Sequence, residues 1–99
     1  MRMYSFREGA GMDFELASLR LRAMGHPTRL RILELLAHSG CCVGEIERQL
    51  DLRQSNVSQH LRVLRDCGLV TVSRQGQTLC YSLNQPLVSP LLESLESLA

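Results

Sequence analysis

The chain has 99 residues, enough for one hydrophobic core but not for two, so a single domain is predicted. The composition, 44% hydrophobic and 21% charged, is that of an ordinary globular protein, and the net charge of +1 does not by itself indicate a nucleic-acid ligand. No apolar run approaches the roughly 18–20 residues that cross a bilayer, and no signal-peptide core is present, so a cytoplasmic protein without a membrane partner is expected.

The first part of the chain predicts an arm followed by a helix. Residues 1–12 contain two glycines and no sustained hydrophobic period, which favours a flexible N-terminal arm, with the folded domain at residues 13–99. Asp13 is placed to cap the first helix and Gly25 to end it. Between them, apolar residues recur at spacings of three and four: Phe14, Ala17, Leu21 and Met24.

Two more helices are predicted next. Pro27 suits the first position of a helix, and the helix 27–38 carries so many aliphatic residues that it should be central. After Ser39 and Gly40, residues 41–43 predict a short extended link. A third helix, Gly44–Leu50, then ends at a break formed by residues 51–53.

A fourth helix and a hairpin follow. The helix Gln54–Cys67 turns Val57, Leu61 and Leu64 to one face, and Gly68 is a natural C-terminal cap. The period then changes from helical to extended. Segments 69–73 and 78–83 predict two strands, joined by a turn at residues 74–77.

The last predicted helix, Leu87–Leu98, follows a break at residues 84–86. Its apolar side chains form one stripe, with Val88 and Leu92 beside it: Leu87, Leu91, Leu95 and Leu98. So short a chain can hardly cover this stripe, and a symmetric second copy would bury it. The alternative is that the helix folds back onto its own core.

These elements predict a mainly α fold with a small β-hairpin wing, an α+β winged helix-turn-helix. The major groove of DNA admits one α-helix, whose polar side chains reach base edges and phosphates. An exposed polar face is most often simply solvated. Here, however, the segment 54–59 carries no charge and is built from Gln, Ser and Asn around one Val, and Ser and Asn are mediocre helix formers. Groove recognition supplies a reason for that composition.

The charges are distributed unevenly. Between residues 53 and 74 there are four arginines and one acid, Asp66, which gives a local net charge of +3. A chain polarised in this way can present a basic face to phosphates. The arginines are Arg53, Arg62, Arg65 and Arg74.

From about Ala23 to Leu83 the sequence resembles the ArsR/SmtB family of bacterial metal- and thiol-responsive repressors. The order and spacing of several segments carry the resemblance together: residues 24–33, 52–61, 64–70 and 74–77.

The resemblance implies a homodimer, held by the first and last helices, that binds double-stranded DNA at a palindromic operator. The DNA-binding residues that it assigns are Gln54, Ser55, Ser58 and Gln59, with His60 and Arg62 nearby and Arg74 and Gln77 in the wing. Gln59 stands where many relatives have His, so the base preference at that position does not transfer.

Family members release DNA on sensing a ligand, and the known sites match poorly here. One common metal site of the family uses His and Asp or Glu on the last helix, where this chain has only Glu93 and Glu96. A second type of site uses a Cys-x-Cys motif at the start of the third helix, but here Cys42 and Val43 are followed by Gly44. Cys67 matches one position of the cadmium/lead sensors, while Val63 replaces the other.

The cysteines Cys41, Cys42, Cys67 and Cys80 remain as candidates for metal or thiol sensing. In winged helices the strand before the third helix pairs with the wing, so Cys41 or Cys42 is expected to approach Cys80. Three thiolates would hold As(III) or another thiophilic metal, and two would oxidise or take up reactive sulfur. The alternative is that each cysteine is a small, inert hydrophobe.

The sequence therefore predicts an operator-binding transcriptional repressor, released by a metalloid or a thiol-reactive signal at its cysteines. An enzyme is disfavoured, because no phosphate-binding loop or catalytic cluster is present. The pattern is also compatible with a winged helix that binds only proteins, or with a regulator whose cysteines are purely structural. Salt-dependent binding to duplex DNA would separate a protein-binding module from a repressor.

Overall fold

A computed structural model describes residues 11–99, and for Cys41 the backbone alone. Of the predicted arm, residues 1–12, only the last two lie within the described part of the chain, so its flexibility and the domain boundary stay predictions. The mainly α fold with a hairpin wing is confirmed. The elements are α1 (Phe14–Met24), α2 (Pro27–His38), β1 (Cys41–Cys42), α3 (Val43–Leu50), α4 (Gln54–Asp66), β2 (Val70–Gln75), β3 (Thr78–Leu83) and α5 (Gln85–Leu98).

The first two helices begin at side-chain caps. An Asp13 carboxylate oxygen accepts a hydrogen bond from the Leu16 backbone N–H at 3.0 Å, as the sequence predicts. His26 does the same for α2, since its Nδ1 accepts from the Thr28 N–H at 3.1 Å. Pro27 takes the first turn of α2, where no N–H is required.

A Schellman motif ends α4. Gly68 has a φ of +79°, a left-handed conformation that glycine adopts without steric cost. Its N–H donates to the Arg65 carbonyl, and the Leu69 N–H donates to the Leu64 carbonyl at 2.9 Å. The chain thereby turns sharply from the end of α4 into the wing.

The core lies between the helices and one face of the sheet. Side chains of α2, α3, α4, the sheet and α5 are buried together, and the last residues of α1 join them. The innermost members are Ile32, Leu33, Ile46, Val57, Leu61, Leu64, Leu69 and Val88, each with no exposed surface.

The sheet has three strands in the order β1-β3-β2, all antiparallel. The second wing strand has its predicted bounds, but the first extends further towards the tip than the sequence indicated. Arg74 and Gln75 belong to β2, and the turn is only the two residues Gly76 and Gln77, with Gly76 at a φ of +66°. Val43, predicted in the extended link, is instead the first residue of α3.

The last helix begins at Gln85, two residues before the predicted start, because proline is tolerated in a first turn. Asn84 fixes this start: its side-chain amide donates to the Gly68 carbonyl at 2.8 Å, and its backbone N–H donates to the Leu69 carbonyl at 3.0 Å. The junction between α4 and the wing is therefore tied to the entrance of α5. No helix within residues 11–99 is long and apolar enough to cross a membrane.

Candidate DNA-binding surface and cysteine sites

The outward face of α4 is polar and open. Val57, Leu61 and Leu64 anchor the helix in the core with no exposed surface. Residues on the opposite side of the same helix are exposed: Gln54, Ser55, Ser58, Gln59 and Arg62. Their amides, hydroxyls and guanidinium group are free to meet groups from outside the subunit.

A tight turn positions α4 against α3. Asp51 adopts a left-handed conformation, with a φ of 53°, which Asp tolerates better than most residues. The Leu52 N–H then donates to the Glu47 carbonyl at 3.0 Å, and Leu52 packs against the core. This turn defines the helix-turn-helix, and α4 is its second helix.

His60 is placed differently from the other predicted DNA-binding residues. It is half-buried, its Nδ1 accepts a hydrogen bond from Arg29 Nε at 3.2 Å, and its ring centre lies 4.8 Å from that of His26. Partial burial is the main reason why the pKa of His60 is lowered, and electrostatic repulsion from the neighbouring His26 and Arg29 lowers it further. The neutral ring keeps its acceptor for Arg29, so His60 joins α4 to α2 and does not lie on the open face.

No local pattern in the sequence indicates this cluster. Arg29 also donates to the Ala23 carbonyl at 3.4 Å, and Arg20 on α1 donates to the Cys67 carbonyl at the end of α4, at 2.9 Å. A cation at a helix C-terminus is favoured by the helix dipole. Both arginines lie more than 30 residues from their partners on or beside α4, a separation that hydrophobic periodicity and capping signals do not reach.

The wing carries its polar residues at the tip. Arg74 lies near the end of the β2 ladder opposite Leu79, and Gln77 lies in the two-residue turn; both are exposed. A Cβ on Gly76 would meet nothing within 4 Å, so this glycine is required for its backbone conformation alone. The tip is therefore slender and open to solvent.

Two of the candidate cysteines are brought together. Cys42 in β1 is paired directly with Cys80 in β3, and their sulfur atoms lie 3.1 Å apart, with both residues half-buried. The hydrogen bond with Cys42 raises the pKa of Cys80, and partial desolvation raises it further. The expected approach of the link strand to the wing is present in the structure.

Cys67 lies in a different environment. It is a core residue at the end of α4, and its thiol donates to the carbonyls of Val63 and Leu64. Burial is the main reason why the pKa of Cys67 is raised. No three His, Cys, Asp or Glu side chains within the described residues lie together as a metal site. The structure thus joins Cys67 to the core and not to the Cys42–Cys80 pair.

The α4 face, the tight turn before it and the hairpin after it define a winged helix-turn-helix regulator. The family profile described as "Bacterial regulatory protein, arsR family" matches residues 26–72. The transcriptional activator HlyU of Vibrio cholerae is 40% identical over 83% of this chain and 76% of its own, and its solved structure superposes with a TM-score of 0.80 at 38% identity, covering 88% and 97% of the two chains.

Two further proteins are similar. The biofilm growth-associated repressor of Agrobacterium fabrum is 37% identical over 79% of this chain and 67% of its own. The transcriptional repressor PagR of Bacillus anthracis has a TM-score of 0.75 at 39% identity, covering 85% and 97% of the two chains. The chain belongs to the ArsR family of bacterial transcriptional regulators, which are DNA-binding proteins and not enzymes.

Proposed function

We propose that this cytoplasmic protein is a homodimeric repressor that binds a palindromic operator through α4 and the wing. The observation that carries the proposal is the contrast across α4. Its aliphatic side chains are wholly buried, while uncharged polar side chains cover the outward face of its first half. A helix of this kind fits the major groove, where Gln and Ser recognise base edges.

The charge of the same region supports contact with phosphates. All four arginines between residues 53 and 74 are exposed, and the single acid among them, Asp66, lies 3.8 Å from Arg65 at the far end of α4. Arg53 flanks the start of the helix and Arg74 stands at the wing. Phosphate contacts at these two places would fix the register in which the helix enters the groove.

Homodimerisation is supported by the outward surfaces of α1 and α5. Phe14 and Leu21 are 56% and 62% exposed, and the outward leucines of α5 are also exposed, Leu98 by 82%. Leu21 and Leu91 line a shared, almost wholly apolar groove of about 250 Å³ between the two helices. A second copy packed on these helices would bury the patch and place the two α4 helices about one DNA turn apart, roughly 34 Å.

The direct test is a titration of duplex DNA from the region upstream of the gene, against an unrelated duplex. The double substitution Ser58→Ala and Gln59→Ala should weaken specific binding by about 1–3 kcal/mol for each base-edge interaction that it removes. Binding to the unrelated duplex should change little, because the arginines remain. Equal affinity of the double variant and the wild type for the operator would contradict the assignment of the α4 face.

The matched comparison is Arg74→Ala in the wing. Removing a phosphate-binding cation should weaken binding to both duplexes to a similar extent. The slope of the logarithm of the binding constant against the logarithm of the salt concentration should become less steep by about one. If the wild-type protein binds neither duplex in a salt-dependent manner, the winged helix serves another purpose, such as protein interaction.

The signal that releases the DNA is proposed to act at the cysteines. A metalloid such as As(III), another thiophilic metal or a thiol-reactive compound would suit accessible thiolates. Support comes from the half-buried Cys42–Cys80 pair, since the hydrogen-bonded and buried thiol of Cys67 is poorly placed to react.

A further inference from the structure

The sulfur atoms of Cys42 and Cys80 lie where the start of α3 meets the central strand of the sheet. Cys80 is in the central strand of the sheet, where it pairs with Cys42 on one side and with Ser73 of the wing on the other. Cys42 is at the same time the N-cap residue of α3. One sulfur therefore belongs to the entrance of the helix-turn-helix and the other to the wing.

The pairing suits a covalent bond between the two residues. Directly opposed residues in an antiparallel ladder have Cα atoms about 4.5 or 5.5 Å apart, and both values lie within the roughly 4.4–6.8 Å that disulfides span. The sulfur atoms, now 3.1 Å apart, need to approach to about 2.05 Å. This movement is of the order of 1 Å and requires no change of register.

We propose that Cys42 and Cys80 form an oxidation site that closes to an intrachain disulfide on reaction with a hydroperoxide. The Cys42 thiolate attacks the peroxide, the O–O bond breaks, and the alkoxide or hydroxide that leaves takes up the proton of Cys42. Cys42 is then a sulfenic acid. The Cys80 sulfur attacks it, the S–O bond breaks, and the departing hydroxide takes the Cys80 proton as water.

The reaction is balanced as a two-electron oxidation. Two thiols lose two electrons and two protons, and the hydroperoxide is reduced to one alcohol and one water, or to two waters when it is hydrogen peroxide. The raised pKa of Cys80 keeps that thiol protonated, which suits its role as the second sulfur to react. A thiol reductant reverses the bond by exchange.

The other two cysteine positions provide internal contrasts. Cys67 is enclosed in the core and its thiol is hydrogen-bonded to two backbone carbonyls. The backbone of Cys41 pairs with Tyr81 and not with a cysteine. Geometry therefore favours a single intrachain product, the bond between residues 42 and 80.

The consequence for DNA rests on the proposed function. Closing the bond draws β1 towards β3 and ties the first turn of α3 covalently to the wing, so the wing tip and the α4 face no longer adjust independently. The structure has both thiols free, and in this reduced arrangement the α4 face and the wing tip are both exposed. Oxidation should therefore weaken operator binding by about tenfold, an effect of the size expected when roughly one base is no longer recognised.

The first test treats the reduced protein with hydrogen peroxide and maps its peptides without reduction. The expected product is a disulfide within one chain that joins the peptides of Cys42 and Cys80, and it disappears when a thiol reductant is added. A bond between Cys41 and Cys42, a bond between two chains, or oxidation of Cys42 that leaves Cys80 free would each overturn the site.

Counting the thiols that each cysteine variant loses to hydrogen peroxide gives a second measure of the same site. Cys41→Ser and Cys67→Ser should still lose two thiols at the wild-type rate, while Cys80→Ser and Cys80→Ala should form no intrachain bond at Cys42. Circular dichroism verifies that each variant is folded. Because the peptide map of the wild type decides the site without any substitution, a misfolded variant does not leave it open.

The second test measures operator affinity before and after oxidation. The wild type should bind about tenfold more weakly when oxidised, and Cys80→Ser should be unaffected by the same treatment. Unchanged or tighter binding by the mapped disulfide form would overturn the coupling to DNA. If the reduced protein lacks specific DNA binding, the proposed function fails, whereas the peptide map still decides the oxidation site.

Discussion

The fourth and fifth helices are built on the same inner pattern but differ on the outside. Each turns aliphatic residues to the core, Leu61 and Leu64 in α4, Val88 and Leu92 in α5. On the outward face α4 carries amides, hydroxyls and arginines, while α5 carries leucines. The inner face of an amphipathic helix thus fixes where the helix lies in the subunit, and the outer face determines which surfaces it suits: water and phosphates for α4, another apolar surface for α5.

Breaking the shared inner pattern should have the largest effect. Leu64→Ala removes a side chain with no exposed surface and should lower the free energy of unfolding by about 2–5 kcal/mol, because the well-packed core fills the cavity only in part. Chemical denaturation measures this decrease. The matched control is Arg62→Ala on the exposed face, with an expected change within about 0.5 kcal/mol. Equal decreases from the two substitutions would contradict the difference between the faces.

The outer face of α5 can be tested by adding one charge. Leu95→Glu places a carboxylate in the proposed dimer contact and should raise the dimer dissociation constant about 100-fold, since an unpaired carboxylate loses its water on burial. Analytical ultracentrifugation measures the change. Ser97→Glu is the control, because it adds the same charge about 200° around the same helix. A Leu95→Glu protein that still dimerises as the wild type does would show that α5 is not the contact.

The smallest expected effect concerns His60, the polar residue of α4 that lies on the inner side. Its pKa is lowered in the folded state by burial and by electrostatic repulsion from His26 and Arg29, so the unfolded chain binds a proton more readily. The contribution of the neutral His60 ring to the free energy of unfolding is therefore fully present above the ordinary histidine pKa of about 6.5. It is lost as the pH falls through the lower pKa of the folded state. Thermal unfolding measured from about pH 7.5 to about pH 5 should show a smaller decrease in His60→Gln than in the wild type.

The order and type of the elements follow from local signals. Asp13 starts a helix and Gly68 ends one through hydrogen bonds within a few residues, and aliphatic periodicity assigns the buried faces. Those signals located the α4 face and the wing. They also explain the errors: the predicted starts of α3 and α5 are too late, because a β-branched Val43 and a proline at position 86 are both compatible with a first helical turn.

The rest depends on contacts between distant parts of the chain. The inward orientation of His60 is decided by Arg29, which precedes it by 31 residues, and the register of β1 on β3 decides which cysteine meets Cys80. A polar residue on α4 looks the same in the sequence whether it faces solvent or an arginine from another helix. Tertiary packing, and not local propensity, separates these cases.

The hydrogen bonds of Asn84 have a mechanical consequence. One short residue holds the carbonyls of Gly68 and Leu69, immediately beyond α4, and its own carbonyl accepts from Val88 in the first turn of α5. A tilt of α5 would therefore be passed directly to the far end of α4, the proposed recognition helix. In the proposed dimer, the orientations of the two α4 helices would be coupled through the Asn84 hydrogen bonds of each copy.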